Sequence, residues 1–137
     1  MVILLDQFNL PTDIYEIIFA TQQQAIVAKM LIDELKEHSG TLGKTEMSLF
    51  ANKLHDGTVV EVISHDNPYV KKEAVQLSYN KRQFYDRILT PMKSMGLIEY
   101  DMYKKQYRIS LNFPKVLMKI GVMWSQEVNR AARRNVP

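Results

Sequence analysis

The side chains of this sequence that could recognise another molecule lie in two stretches of its second half. Asn80, Gln83 and Arg87 recur at three- and four-residue spacing, which places them on one face of a helix. Guanidinium and amide groups can make paired hydrogen bonds to the edges of nucleic-acid bases. In "MGLIEYDMYKKQYRIS" (95–110), Lys104 and Lys105 occupy the short tip between two predicted strands, and ammonium groups there could bind phosphates.

Positive charge is concentrated in the same half of the chain. Residues 1–70 contain 4 Lys and no Arg against 10 Asp and Glu, a net charge of −6. Residues 71–137 contain 14 Lys and Arg against 5 Asp and Glu, a net charge of +9, and the whole chain carries +3. A basic surface attracts polyanions and speeds their encounter. We therefore expect a polyanionic partner; the alternative is chance clustering on an ordinary solvated surface.

Catalytic chemistry finds little support in the sequence. The chain has no cysteine, which removes disulfides, a Cys nucleophile and thiolate metal sites. It has no glycine-rich phosphate loop and no Gly-x-Ser-x-Gly elbow. Its histidines are scattered, without a partner ligand at metal-binding spacing: His38, His55 and His65. We predict that the protein is not an enzyme and has no cofactor or metal. A divalent-metal nuclease is the catalytic alternative, with these candidate ligands: Glu61, Asp66 and Glu73.

Length and composition are typical of one globular domain spanning residues 1–137. The hydrophobic content is 46% and the charged content 24%, as in ordinary soluble proteins. The opening residues lack a basic leader with a cleavage motif. No apolar run approaches the ~20 residues that a membrane span requires. These features predict a soluble cytoplasmic protein without a membrane partner.

Two helices are predicted in the first half. The stretch "PTDIYEIIFATQQQAIVAKMLIDELKEHSG" has apolar residues at helical spacing, with Thr12 as its N-cap and Gly40 as its stop. It could break near "TQQQ". The stretch "KTEMSLFANKLHDG" predicts a shorter helix ended by its Asp-Gly pair. The expected buried stripe of this helix is Met47, Phe50, Ala51 and Leu54.

The middle of the chain begins with a strand and leaves one element open. "TVVEVI" is β-branched and predicts a strand. The following "HDNPYVKKEAVQLS" could start a helix at Asn67-Pro68, or "AVQLS" could return as a second strand. "NKRQFYDRILTPMKSMG" predicts a helix capped by Ser78 or Asn80 and ended by Gly96. Pro91 should kink this helix or divide off a last turn that begins at Thr90.

Two strands and a final helix complete the predicted elements. Ile98, Tyr100 and Met102 alternate on the first strand. The second strand alternates in the same way, through Tyr107, Ile109 and Leu111. "NFPKVLMKIGVMWSQEVNRAARR" then predicts a helix with an apolar stripe that includes Trp124, and with arginines suited to its negative C-terminal end.

The order helix, helix, linker, helix, glycine, strand, basic tip and strand resembles the winged helix-turn-helix superfamily over about residues 25–112. The most specific piece is "FYDRILTPMKSMGLIEYDMYKKQYRIS". The general plan is similar to dimeric regulators of the multiple-antibiotic-resistance type, or to archaeal or viral regulators. One departure is the link between the two motif helices, where about 22 residues separate "NKLH" from Ser78 instead of a few. Either extra structure is inserted there, or the two helices pair in an unusual way.

The resemblance implies an α+β, mainly α, fold with a long N-terminal helix, a C-terminal helix and a two-stranded wing. It also implies sequence-specific binding of double-stranded DNA and transcription regulation, with helix 80–95 in the major groove and wing 101–106 on flanking DNA. The expected DNA-binding residues are Asn80, Lys81, Arg82, Gln83, Arg87, Lys93, Tyr103, Lys104, Lys105, Lys71 and Lys72. The alternative is a winged-helix adaptor that binds other proteins in a larger nucleoprotein assembly.

Apolar residues at both ends of the chain predict a homodimer. The terminal segments lie outside the expected DNA-binding core, so their apolar stripes need a partner. Two-fold symmetry would also place two recognition helices about one DNA turn apart. The expected interface residues are Leu4, Leu5, Phe8, Ile14, Ile18, Leu117, Ile120, Trp124 and Val128. The alternative is that the two end helices pack on each other within one chain.

Overall fold

The computed structural model of the chain describes residues 5–56, 58–63, 72–77 and 79–131, and shows an α+β fold that is mainly helical. Its helices are α1 (Ile14–Ile18), α2 (Gln22–Glu37), α3 (Lys44–His55), α4 (Lys81–Phe84), α5 (Thr90–Ser94) and α6 (Asn112–Asn129), with a π-helical turn (Tyr85–Leu89) joining α4 to α5. Its strands are β1 (Thr41–Gly43), β2 (Thr58–Ile63), β3 (Lys72–Leu77), β4 (Ile98–Asp101) and β5 (Gln106–Ile109).

A three-stranded antiparallel sheet closes one side of the fold, in the order β1-β5-β4. The central strand β5 pairs on one side with β1, where Tyr107 faces Leu42, and on the other with β4, where Tyr107 faces Tyr100. The paired strands β4 and β5 agree with the predicted two-stranded hairpin. Strand β1, which is only three residues long, was not predicted from the sequence.

The predicted long first helix is two helices. The chain leaves α1 at Phe19, in an extended conformation, and α2 starts after Thr21, at the "TQQQ" stretch where a break was expected. Thr21 and Gln24 form a capping box, because each side chain accepts a hydrogen bond from the backbone N–H of the other. The prediction of Thr12 as the first N-cap is wrong: Asp13 is the N-cap, and its carboxylate accepts from the N–H of Tyr15 at 2.9 Å.

The end of α2 lies where the sequence predicted it, but its left-handed residue is not a glycine. Ser39 has φ of +61° and its N–H donates to the carbonyl of Lys36, while the N–H of Gly40 donates to the carbonyl of Leu35. This pair of hydrogen bonds is a Schellman motif, which satisfies the last carbonyls of a helix. Gly40 follows with φ of +89° and turns the chain into β1.

One hydrophobic core joins α2, α3, the helical segment 81–94 and the sheet. The predicted stripe of α3 is confirmed, since all four of its residues are buried. The ring of Phe50 on α3 lies 5.4 Å from the ring of Phe84 on α4, centroid to centroid. The largest fully buried side chains come from every layer of the fold: Phe84, Leu31, Leu35, Leu42, Met47, Leu54, Leu77, Ile88, Leu89, Met92, Ile98 and Val27.

The long link between α3 and α4 contains a β-hairpin formed by β2 and β3. "TVVEVI" is the predicted strand, and of the two alternatives for the following stretch the returning strand is the one observed. Asn67 and Pro68, where the alternative helix would have started, lie outside the described residues. The helices α3 and α4 pack against each other, so the hairpin lies in the chain between two helices that are in contact.

The last helix, α6, stands apart from the core. It is 18 residues long and none of its residues is buried. Among the described residues, its backbone is held to the fold at its start, where the N–H of Phe113 donates to the carbonyl of Gly96 at 3.0 Å and the N–H of Asn112 donates to the hydroxyl of Ser110 at 3.1 Å. The alternative in which the two end helices bury their stripes against each other within one chain therefore does not hold for the described residues.

Candidate nucleic-acid interface

A reciprocal cap at Asn80 starts the helical segment 81–94. The side chain of Asn80 accepts from the N–H of Gln83 at 2.8 Å, and the side chain of Gln83 accepts from the N–H of Asn80 at 3.1 Å. Both amide oxygens are thus used to satisfy backbone donors at the helix start. Asn80 is confirmed as the cap, and it and Gln83 lie at the end of the helix where the predicted contact surface begins.

A π-helical turn in the middle of this segment accommodates Pro91. The N–H of Thr90 donates to the carbonyl of Tyr85, five residues back, so the turn contains one residue more than an α-helix would. In a regular α-helix the ring of Pro91 would clash with the carbonyl of Arg87, and the wider turn removes that conflict. Of the two outcomes predicted for Pro91, a kink or a last turn beginning at Thr90, the second is observed, since α5 begins at Thr90.

The extra residue keeps both halves of the segment on the core. Phe84 and Ile88 are buried before the register changes, and Leu89 and Met92 are buried after it. The other side of the segment is exposed and polar. Its exposed residues are Lys81, Arg82, Asp86, Arg87, Thr90, Lys93 and Ser94.

The cationic side chains on this surface differ in whether they already have an ion-pair or hydrogen-bond partner. Arg82 forms an exposed ion pair with Asp86 at 3.6 Å, an interaction too weak to hold it from another anion. The ammonium group of Lys81 donates to the hydroxyl of Ser48 on α3 at 2.6 Å. Arg87 is exposed and has no hydrogen-bond or ion-pair partner among the described residues. Its guanidinium is therefore the most available one on this surface.

The segment ends in a glycine-centred motif that aims the chain into β4. Gly96 has φ of +81°, its N–H donates to the carbonyl of Lys93, and the N–H of Leu97 donates to the carbonyl of Met92. These are the two hydrogen bonds of a Schellman motif, and they confirm Gly96 as the helix stop. Lys93 lies 6.0 Å from the ring centroid of Tyr107 on β5, so the end of the segment meets the strand that leads out of the basic tip.

The basic tip is a four-residue turn, 102–105, between β4 and β5. Asp101 organises it, because one carboxylate oxygen accepts from the N–H of Tyr103 at 2.9 Å and from that of Lys104 at 3.1 Å. The hydrogen bond from the N–H of Lys104, then that from Tyr103, with the positive charge of Arg108 nearby, lowers the pKa of Asp101. Lys105 closes the turn with φ of +53°. Lys104 and Lys105 are exposed, and Tyr103 is 99% exposed.

The strands below the tip are shorter than the alternation suggested. Met102 lies in the turn and Leu111 lies just before α6, and both are exposed; their prediction as strand residues is wrong. The alternation of apolar residues in the sequence continues beyond the last residues whose backbones pair, so it predicted strands that were too long. The paired part is held by an ion pair between Arg108 and Glu99 and by the rings of Tyr100 and Tyr107, 4.7 Å apart.

The remaining predicted DNA-binding residues lie on the β2-β3 hairpin or outside the described residues. Lys72 is the first residue of β3, paired in register with Ile63. Lys71 lies outside the described residues. Of the nuclease alternative, Glu61 is on β2 and Glu73 on β3, while Asp66 lies outside the described residues.

Two residues that shape this surface were not predicted. Ser48 is a partly buried residue of α3, and only its contact with Lys81 identifies it. Asp101 could have been found from the sequence, because an aspartate side chain often accepts a hydrogen bond from the backbone N–H two residues later and so fixes a turn.

The predicted dimer residues are mostly exposed, with one exception. Ile18 is partly buried against the core, and Leu4 lies outside the described residues. The exposed members are Leu5, Phe8, Ile14, Leu117, Ile120, Trp124 and Val128. Phe8 is 84% exposed and Trp124 69%, which is unusual for such large apolar side chains.

Comparison with protein families, with curated proteins and with solved structures gives no match for this chain. Within the part of the chain that the structure describes, no group of three or more His, Asp or Glu side chains could hold a metal ion. Nor does any helix within those ranges combine the length and the apolar content needed to cross a membrane.

Proposed function

We propose that this chain is a winged helix-turn-helix protein that binds double-stranded DNA sequence-specifically and regulates transcription. The helical segment 81–94 would enter the major groove, and the turn 102–105 would contact flanking DNA. The layout supports this proposal: α3 and segment 81–94 pack as a helix pair, and segment 81–94 is followed directly by a hairpin of the three-stranded sheet.

The observation that carries the proposal is the surface of segment 81–94. One side of the segment is fixed by fully buried apolar residues, and the other offers an exposed row of cations and hydroxyl groups. A major groove admits one such helix. Rigid attachment on the buried side holds the helix backbone in a constant orientation, so the exposed side chains start from fixed positions, as recognition of base edges requires.

Arg87 is the strongest candidate for base contact. Its guanidinium is exposed and unpaired among the described residues, and Arg can bind guanine through two parallel hydrogen bonds. Asn80 and Gln83 are weaker candidates, because paired contact with adenine needs the amide oxygen as well as the nitrogen. Those oxygens already accept hydrogen bonds in the helix cap, so base contact would compete with the cap.

The lysines of the turn 102–105 are suited to phosphates. Lys104 and Lys105 stand on a turn whose backbone Asp101 holds in shape. Because the backbone of the turn is already ordered, binding of a phosphate by these lysines would cost little additional backbone entropy. Contacts of this kind strengthen binding to any duplex and position the protein without specifying sequence.

We also propose that the protein acts as a homodimer. The exposed large apolar residues of the N-terminal segment and of α6 support this, because large apolar patches on a protein surface mark interaction sites. Trp124→Asp combined with Leu117→Asp should give a folded monomer, since neither side chain belongs to the core. Sedimentation of the wild type at micromolar concentration tests the dimer first. A mass of one chain, 16.0 kDa, would contradict it.

DNA affinity at two salt concentrations tests the DNA-binding proposal. Counterion release predicts that a protein making ~6 phosphate contacts loses about a thousandfold in affinity between 50 and 200 mM salt. The matched control is Lys29→Ala on the exposed side of α2, which removes one charge from the acidic half and should leave affinity and slope unchanged. Weak binding at low salt without a slope would contradict the proposal.

The same measurement distinguishes the proposed DNA-binding function from the alternative, a winged-helix adaptor that binds other proteins. The observation that favours it is α6, which has no buried residue. An adaptor should bind DNA weakly and without the salt dependence above. A selection of bound sequences from random DNA would then yield no enriched site, whereas the proposed regulator should enrich one.

A further inference from the structure

Gly121 lies near the middle of α6, and nothing in the described chain explains its presence there. A Cβ built at this position would have no neighbouring atom within 4 Å, so no packing among the described residues demands a glycine. Gly is among the poorest helix formers, and an exposed helix such as α6 depends on propensity more than a buried one does. A close approach by another molecule is the remaining structural use for a residue without a side chain.

The residues on either side of Gly121 form a seam along the helix. Leu117, Gly121, Trp124 and Val128 are separated by four, three and four residues, the spacing that keeps side chains on one line of a paired helix. Lys115 and Lys119 lie on the opposite side of the helix at 100° per residue, so charge does not interrupt the seam. The seam therefore alternates large residues with one small residue at its centre.

We propose that α6 pairs antiparallel with α6 of a second copy of this chain, with each Trp124 indole seated over the partner's Gly121. The same register places Leu117 against the partner's Val128. Both pairings are symmetric about one point, between Val122 and Met123, so a single two-fold axis satisfies them together. A seam in which the large residues opposed each other would leave Trp124 without room and Gly121 over a void.

The exposed area on α6 suits a second copy of the same helix. Eighteen residues span about 27 Å, and the large apolar side chains from Val116 to Val128 are at least 45% exposed. Pairing two such faces would bury on the order of 1,000 Å², which is near the lower limit for a specific interface. The inference deepens the homodimer in the proposed function, and it rests on it.

Cross-linking tests the register, and the absence of cysteine in the natural chain makes single-cysteine variants unambiguous. Leu117→Cys and Val128→Cys proteins are prepared separately, mixed and oxidised, and the products are identified by mass. The antiparallel register predicts disulfides that join the two different variants. Disulfides that join only identical variants would show a parallel pair and overturn the proposal. Gln126→Cys, on the opposite side of α6, is the control and should not cross-link.

A second measurement uses Trp124, the one tryptophan of the chain. Dimer formation should shift its emission to shorter wavelength as protein concentration rises, because the indole leaves water. Gly121→Leu should weaken the dimer about tenfold or more by filling the space that the indole needs. Gln126→Leu adds the same side chain on the opposite side and should leave the dimer unchanged. Equal effects of the two variants would overturn the proposed seam.

Failure of this inference can be told apart from failure of DNA binding. The salt dependence of DNA affinity is measured on Gly121→Leu as well as on the wild type, and phosphate binding by each protomer should persist in it. A retained salt slope with the wrong cross-links overturns only the α6 register. Absence of the slope in the wild type overturns DNA binding whatever the cross-links are.

Discussion

Replacement of Gly96 by alanine gives the most quantitative stability prediction. Gly96 ends segment 81–94 with φ of +81°, and the start of α6 lies directly against it. A Cβ there would meet the Cβ of Asn112 at 3.1 Å and the backbone nitrogen of Phe113 at 3.1 Å. Gly96→Ala therefore introduces two independent costs, a left-handed backbone for an L-residue and a steric conflict with main-chain atoms.

The two costs can be estimated separately. A left-handed conformation costs a residue with a Cβ roughly 1–2 kcal/mol. Crowding against atoms that cannot rotate away costs about 1–3 kcal/mol in a packed site. We expect Gly96→Ala to lower the free energy of unfolding by about 2–5 kcal/mol, the sum of these two ranges.

Gly40→Ala is the matched control. Gly40 has φ of +89°, but a Cβ there would have no neighbour within 4 Å, so only the backbone cost of roughly 1–2 kcal/mol applies. Urea unfolding followed by circular dichroism measures both variants, with an unchanged m value as the check on two-state behaviour. Equal destabilisation of the two variants would refute the reasoning, because it would show that α6 does not start against Gly96.

Three further predictions concern the charged groups. Lys104→Ala with Lys105→Ala should weaken binding to all duplexes alike and reduce the salt slope by about 0.9 for each phosphate that is no longer neutralised; unchanged affinity in fluorescence titrations would remove the turn from the interface. Arg87→Ala should cost ~1–3 kcal/mol on a selected site and little on random DNA, whereas equal effects on both would make Arg87 a phosphate-binding residue. His38 should titrate above its ordinary pKa of about 6.5, because the hydrogen bond to the carbonyl of Glu34 and the nearby carboxylates, including Glu46, raise its pKa. Its contribution to stability is then complete below pH ~6.5 and disappears as pH rises through the raised pKa. A proton NMR titration in which Glu46→Gln leaves that pKa unchanged would contradict the role of the carboxylate.

The elements that the sequence predicted correctly are those with local signals. The buried stripe of α3 repeats at helical spacing. Pro91 restricts the backbone before it, and Gly96 can adopt the positive φ that ends a helix. Each of these signals affects only residues that are near it in the sequence. Thr12 and Asp13 are adjacent and both suitable N-caps, so residue type alone could not separate them. In the same way, residue type favoured Gly40 as the left-handed residue and could not show that Ser39, one residue earlier, is left-handed too.

Elements that depend on distant residues were missed. Thr41–Gly43 is too short to show alternation, and it is a strand only because it pairs with β5. At the candidate interface, residue type identified the exposed cations such as Arg87. It could not show that Asn80 and Gln83 use their amide oxygens on each other's backbone, because that depends on where the helix starts.

The position of β1 has a consequence for the order in which this protein can fold. Thr41 pairs with Arg108, so 67 residues (108 minus 41) separate the two sides of that ladder. Closing such a long loop costs more entropy than forming contacts between residues that are near each other in the sequence. Contacts between distant residues therefore slow folding. We expect α2 and α3, which are neighbours in sequence, to associate early. During synthesis, however, β1 has no strand to pair with until residue 109 has left the ribosome. A nascent chain that stops before β5 should therefore hold its helices together with Leu42 still exposed to solvent, and the sheet should form in one late step.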